Sequence, residues 1–302
     1  MESYGTSSVW GGERVYDNEF LVSLHGNGWH VDRARFDGML ANCARGAGVE
    51  VWPGHRAAAS ESLGADGWRV ALRGDSDANV EARFVVDATG RNACFAVERG
   101  ARKVADDHLL GVAVRFHFPN GEGPADTRTL VEAQEHGWWY SALTTESRMI
   151  VAWMSDPDLI RSQRLDAGDN WFDQLRRSPL TWARVEHGWA ESAPRIQTAR
   201  SQRLTSTFGP GWVAAGDAAT TLDPLSSQGI LKALRTGKLA SFVALDYLAG
   251  RPAGQPRYEA LVTRDYEQCQ ATKARFYALE RRWPQSPFWL RRQQSAPSAD
   301  LA

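Results

Sequence analysis

Cysteine is scarce. Cys43, Cys94 and Cys269 are the whole complement of the 302 residues, and none has a partner at Cys-x-x-Cys spacing. Histidine is scattered, so neither a disulfide framework nor a metal site is expected, and a reducing compartment suits the chain. Charge of one sign is lacking as well. Lys and Arg number 35 against 36 Asp and Glu, a formal net charge of −1, which leaves no electrostatic footprint for a nucleic-acid partner. No apolar run reaches the length that spans a bilayer, and no signal-peptide pattern opens the sequence. A cytoplasmic protein with no membrane partner is expected. No internal repeat is visible, and no Ser/His/Asp or metal-ligand cluster marks a nucleophile, so the catalytic residues stay unassigned.

Against these absences stand a hydrophobic content of 43%, enough to bury cores in two domains, and thirteen tryptophans. The most organised stretch is 211–230. Residues 212–215 form a short apolar run of strand length, Gly216-Asp217 breaks it, and Asp223-Pro224 turns the chain. Residues 228–248 read as a helix, with Ser226 and Ser227 as N-cap residue types. A strand that feeds a loop at a helix start suits a polar, partly anionic ligand, because the first-turn N–H groups lack partners. Asp217 can accept hydrogen bonds from sugar or ribityl hydroxyls, and Gly229 lets a flat ring approach the backbone.

Gly216-Asp217-Ala218-Ala219, followed by Asp223-Pro224 and Ser226-Ser-Gln-Gly229, resembles the second FAD motif of the flavin-dependent monooxygenases and tryptophan-halogenase-like flavoproteins. Two earlier segments fall in the same order. Gly28-Trp-His-Val-Asp-Arg33-x-x-Phe36 resembles the helix whose arginine reaches FAD, and Arg83-Phe-Val-Val-Asp-Ala-Thr-Gly90 resembles the strand end that approaches the dinucleotide. A cation at a helix N-terminus is disfavoured by the helix dipole, so an anionic partner for Arg33 is expected. The resemblance implies FAD as cofactor, with Arg33, Thr89, Gly90, Gly216, Asp217, Pro224, Ser227, Gly229 and Ile230 binding it. The fold implied is α/β (α+β): an FAD-binding Rossmann-like domain, N-terminally incomplete, with an inserted antiparallel-sheet substrate domain.

Between residues 110 and 154 the pattern changes to strands without intervening helices. In the resembled family this is the substrate region, and Trp138 and Tyr140 are the candidate pocket residues. Alternation puts these two on one face of their strand and Trp139 on the other. Residues 166–185 read as helical, 196–204 as a returning strand, 49–52 as a buried strand, and 256–282 as a long helix ahead of a surface tail after Gln293. The small residues Ala233, Gly237, Ala240 and Ala244 form a stripe suited to packing on a sheet. The domain division expected is 1–105 with 195–255 for FAD, 106–194 for substrate, and 256–302 as a C-terminal helix and tail.

The Gly-x-Gly-x-x-Gly fingerprint, whose backbone N–H groups hold a pyrophosphate, does not occur in these residues; Gly26-x-Gly28 follows no clear strand. Truncation at the N-terminus is the expectation, with a separate chain supplying the βαβ unit as the alternative. The resemblance implies an FAD-dependent monooxygenase that hydroxylates an aromatic natural-product or protein-bound substrate through a flavin C4a-hydroperoxide. A flavin reductase or NAD(P)H would supply electrons. The finer likeness, in Ser7-Ser-Val-Trp-Gly11 and Asp223-Pro-Leu-Ser-Ser-Gln-Gly229, is to accessory flavoproteins that mature quinone-dependent amino-acid oxidases. The halogenases' Trp-x-Trp-x-Ile-Pro signature is not matched by Gly137-Trp-Trp-Tyr-Ser-Ala-Leu143, which disfavours halogenation. The alternatives are a truncated or split flavoprotein fragment without catalysis alone, and a halogenase or reductase on the same scaffold.

Overall fold

The computed structural model describes residues 1–20, 26–119, 123–251 and 253–294. It is a mixed α/β chain, as expected, and it packs as two compact units. One comprises 1–46, 108–199 and 274–302; the other comprises 47–107 and 200–273. Among the described residues, no helix is long and apolar enough to cross a membrane.

The first unit is built on an eight-stranded sheet. Its order is Trp189–Ala190, Leu110–His117, Arg148–Ser155, Gly137–Thr145, Thr129–Gln134, Gly5–Val9 and Tyr16–Glu19, and Arg195–Thr198 also pairs with Leu110–His117. Only Gly5–Val9 beside Thr129–Gln134 is a parallel pair; the other strands run antiparallel, as the absence of intervening helices predicts. The strand Gly137–Thr145 sits near the middle and sends tryptophans to both faces. Trp139 packs with Trp153 and with Trp171 of the helix Gly168–Arg176, whose indole N–H donates to the Val112 carbonyl at 3.0 Å. Trp138 meets Trp10 and donates to the Tyr277 hydroxyl at 3.0 Å. Gly137 precedes them because a Cβ there would lie 2.2 Å from the Met154 carbonyl oxygen.

The second unit holds three small sheets. Arg56–Ser62, Trp68–Arg73 and Ala78–Ala82 form a meander, with a tight turn at Gly64–Asp66 before Trp68. Gln202–Leu204 pairs with Thr220–Thr221 and Lys103–Ala105. Val85–Asp87 runs parallel to Trp212–Ala214, which is also paired with Phe208–Gly209. Trp68, Phe95, Trp212, Val213, Tyr258 and Val262 fill its core. The helix Gly229–Leu248 buries Thr236, Ala240 and Val243. Of the small-residue stripe read from sequence, Ala233 and Gly237 are exposed, because the helix turns a neighbouring face inward.

Other expectations are corrected. Residues 49–52 form no strand, Val49 and Trp52 are exposed, and among the described residues no strand pairs with them. Residues 166–185 are two helices, Gly168–Arg176 and Pro179–Ala183, since Pro179 lacks the N–H that would continue the first. Residues 196–204 divide into Arg195–Thr198 and Gln202–Leu204, which pair in different sheets. The long helix runs Gly254–Leu279, and a further helix, Pro287–Gln294, follows it. That last helix lies ahead of the tail expected after Gln293: Phe288 and Trp289 are fully buried, and Arg292 makes a bidentate pair with buried Asp156 at 2.7 and 3.1 Å. Residues 295–302 lie outside the described residues.

Glu132 is a charged residue inside the first unit's sheet, only 3% exposed. Its carboxylate accepts the Thr181 N–H at 2.8 Å and the Thr181 hydroxyl at 2.6 Å, so it serves the first turn of Pro179–Ala183 from a neighbouring strand. Glu132→Ala leaves both donors buried without an acceptor and is expected to cost about 2–3 kcal/mol in urea unfolding, with Glu132→Gln costing less. An unchanged midpoint for the alanine variant shows that the bond does not support the fold.

Candidate functional site

Two strands of the second unit end side by side. Val85–Asp87 and Trp212–Ala214 are parallel, and the Ala215 N–H continues the ladder to the Asp87 carbonyl at 2.9 Å. The segments after both strands, Thr89-Gly90-Arg91 and Gly216-Asp217, therefore emerge at one end of the sheet. Crevices at the carboxyl ends of parallel strands are where α/β sheets hold ligands.

Each segment is held in place by its own polar contacts. Asp87 is buried and accepts from the Thr89 N–H at 2.9 Å, the Thr89 hydroxyl at 2.6 Å and the Ala96 N–H at 2.9 Å. The Thr89 oxygen accepts in turn from the Cys94 N–H at 2.7 Å, so the Thr89 side chain is spent on shaping the turn. Gly90 has φ +68° and no atom within 4 Å of where a Cβ would stand. Gly216 has φ +60°, a conformation that favours glycine, and its N–H donates to the Thr236 hydroxyl at 2.8 Å.

Asp217 stands where the strand breaks, with its side chain 39% exposed. Lys232, one turn into the helix Gly229–Leu248 and 12% exposed, donates to Asp217 Oδ1 at 2.8 Å and to the Thr220 carbonyl. Arg91 Nε lies 3.9 Å from Asp217 Oδ2, while its Nη1 donates to the Arg200 carbonyl at 2.9 Å. Burial pulls the Lys232 ammonium below the usual lysine range, and Asp217 opposes that pull. Two cations thus orient one half-exposed carboxylate.

The loop that follows is shaped by Asp223. This buried carboxylate accepts the Leu225 N–H at 2.9 Å, and the Asp223 carbonyl accepts the Ser226 hydroxyl at 2.8 Å. Pro224–Ser226 makes a single tight turn and Ser227 adopts a left-handed conformation, φ +51°. Ser227 and Gly229 are exposed, and Pro224 and Ile230 are half-buried. The serines are not the N-cap expected of them. Gln228 occupies that position, and among the described residues no side chain caps this helix start. No atom lies within 4 Å of a Cβ built on Gly229.

The second unit thus brings together Thr89, Gly90, Gly216 and Asp217, with Pro224, Ser227, Gly229 and Ile230 on the loop and helix start that continue from them. Arg33 belongs to the other unit. It starts the helix Arg33–Gly46, is 66% exposed, and pairs with Asp37 through Nε at 3.2 Å and Nη2 at 3.0 Å. Trp138 is fully buried among Trp10 and Tyr277. Tyr140, on the same strand face, is half-buried, and burial raises its phenol. The Thr129 hydroxyl lies beside that phenol and 2.8 Å from His30 Nε2, and burial lowers the His30 imidazole.

His30, Thr129 and Arg91 could not be read from the sequence in these roles, because each meets its partner across about a hundred positions of chain. Lys232 carried a weak signal, lying three residues after Gly229 on a helix face. Lys232→Met leaves Asp217 without its nearest cation and the Thr220 carbonyl without its donor. It is expected to lower stability by about 1–3 kcal/mol in denaturant titration, with Lys232→Arg recovering part of the loss. Equal stability for all three proteins dismisses Lys232 as the anchor of Asp217.

Comparisons with known proteins bear on the family and the fold. The family model described as tryptophan halogenase matches residues 14–302. A Marinomonas mediterranea protein named as an FAD-dependent oxidoreductase, LodB, is 30% identical over 294 residues, covering 96% of this chain and 78% of its own length. A tryptophan 2-halogenase of Chondromyces crocatus is 26% identical over 257 residues, and the chain spans about half, 48%, of its length. Among solved structures, the flavin-dependent halogenase CmlS superposes with TM-score 0.83 at 22% identity, covering 97% of this chain and 55% of that one. The peptidyl tryptophan dihydroxylase QhpG gives TM-score 0.78 at 22% identity, covering 97% and 64%. Those two likenesses are of fold. The match of a family model to nearly the whole sequence goes further: the chain belongs to the tryptophan halogenase family.

Proposed function

We propose that this chain is the greater part of an FAD-dependent monooxygenase that hydroxylates an aromatic group, either a protein-bound side chain or a natural product. The observation that carries the proposal is the convergence of two parallel strand ends on Asp217, a half-exposed carboxylate held by Lys232 and Arg91 beside an uncapped helix start. These residues fit the cofactor. Asp217 offers acceptors for ribityl hydroxyls, Gly90 and Gly229 leave open space at the backbone, and Gly216, Thr89, Pro224, Ser227 and Ile230 shape the turns around them. Arg33 is proposed for a phosphate oxygen, in exchange for Asp37. Bound and reduced, FAD supplies activation of dioxygen, so the chain's own part is to bind, orient and exclude water.

By role, residues 1–105 and 195–255 serve the cofactor, 106–194 the substrate, and 256–302 close the chain; the two compact units are a division by packing. Tyr140 is the stronger of the two pocket candidates, since Trp138 is enclosed by other aromatic rings. Hydroxylation of a protein-bound aromatic group is supported over halogenation by the likeness in fold to the peptidyl tryptophan dihydroxylase and by the unmatched halogenase signature at 137–143. A flavin reductase or NAD(P)H is proposed as electron donor.

Asp217→Ala is expected to weaken FAD binding about tenfold or more in a fluorescence titration, with the far-ultraviolet circular dichroism unchanged. Full retention of affinity removes Asp217 from the cofactor site. Tyr140→Phe is expected to alter substrate affinity or the coupling of oxygen use to product while leaving flavin content intact. If only thermal stability changes, Tyr140 is a packing residue.

A further inference from the structure

The chain passes between its two packing units four times, and three of these crossings lie beside residues that meet one another. Asp107 is the last residue before one crossing, Ser201 lies next to another, and Lys273 is the last residue before a third. Lys273 Nζ bonds the Asp107 carboxylate, donates to the Ser201 hydroxyl at 3.1 Å, and lies 3.9 Å from Asp223 Oδ2. The Asp107 carboxylate also accepts the Ser201 N–H at 3.3 Å. One residue earlier the pattern repeats: the Asp106 N–H donates to the Ser201 carbonyl at 3.0 Å, and Asp106 Oδ2 accepts from Tyr266 at 2.6 Å and Gln270 at 3.0 Å.

All three charged groups at the centre are nearly enclosed, Lys273 at 16% exposure, Asp107 at 12% and Asp223 at 3%. One ammonium is therefore shared between two carboxylates in a poorly solvated place, where loss of the cation leaves like charges facing each other. Asp107 belongs to a crossing segment. Asp223 is the residue whose other oxygen holds the Leu225 N–H and whose carbonyl holds Ser226, so it sets the start of the loop that leads to Ser227 and Gly229.

We infer that Lys273 is a positioning residue for loop 223–229: it ties Asp223 to the Asp107–Ser201 crossing and so fixes the loop for its cofactor. It acts through Asp223 and touches no ligand itself. The cofactor part of this inference rests on the function proposed above; the fixing of the loop does not.

The test is hydrogen–deuterium exchange on the full chain without flavin, comparing the unaltered protein with Lys273→Met and Lys273→Arg, followed by FAD titration of the same preparations. Lys273→Met is expected to speed exchange in peptides covering 223–229 while the strand Gly137–Thr145 stays protected, and to weaken FAD about tenfold. Lys273→Arg is expected to restore most of both. Unchanged exchange at 223–229, an equal rise throughout 47–107 and 200–273, or a local rise with unaltered FAD affinity overturns the inference. Should Lys273→Met fail to fold, Asp107→Asn, which keeps the shape and weakens the pair, is expected to give the same local signature. If the unaltered protein binds no FAD while the local rise appears, the proposed binding of FAD by this chain fails and the fixing of the loop stands.

Discussion

The parallel pairing of Val85–Asp87 with Trp212–Ala214 carries two segments far apart in the chain to the same end of one sheet, because parallel strands finish together. Everything at the candidate site depends on that pairing. Asp87 sits in register with Ala214 and turns its carboxylate back onto Thr89 and Ala96, which shapes the turn at Gly90. Asp217, three residues beyond Ala214, points its carboxylate at Lys232 and toward Arg91. The two aspartates look alike in sequence and do different work. One is buried and consumed by backbone donors; the other keeps part of its surface open.

Electrostatics then decides which groups are available. A buried lysine beside a half-exposed aspartate gains less from hydration than it would in water, and the ion pair offsets part of that cost. A bound polyol chain could share the carboxylate without displacing the lysine, because the carboxylate has more acceptor sites than its two cations use. Lys273 follows the same logic at the start of the loop, one cation between Asp107 and Asp223.

The sheet unit is stabilised in another way. Its tryptophans pack on both sides of one central strand, and each side uses an indole N–H to satisfy an otherwise buried acceptor: Trp138 to Tyr277, Trp171 to the Val112 carbonyl. Two buried carboxylates are matched by donors, Glu132 at Thr181 and Asp156 at Arg292, whereas the buried indole N–H groups of Trp139 and Trp153 have no hydrogen-bond partner among the described residues. Most of the tryptophans are buried or half-buried; Trp29, Trp52 and Trp189 are the exposed indoles among the described residues.

Local chemistry was legible in the order of residues. The apolar run before Gly216-Asp217, the turn at Asp223-Pro224, the helix that follows, the antiparallel strands from 110 onward, and the opposite facing of Trp138 and Trp139 all follow from periodicity and turn residues, which act over a few positions. The family was legible for the same reason, since its motifs are short and contiguous. What tertiary structure alone decided is which of these residues remain free. Thr89 is consumed by Asp87, Arg33 is paired with Asp37, Trp138 is enclosed by Trp10 and Tyr277, and Arg292 is buried in a pair with Asp156. The partners of Asp217 and Asp223, namely Arg91, Lys232 and Lys273, lie 126, 15 and 50 positions away in the chain. A charge finds its counter-ion through space, and distance along the sequence carries no record of that distance.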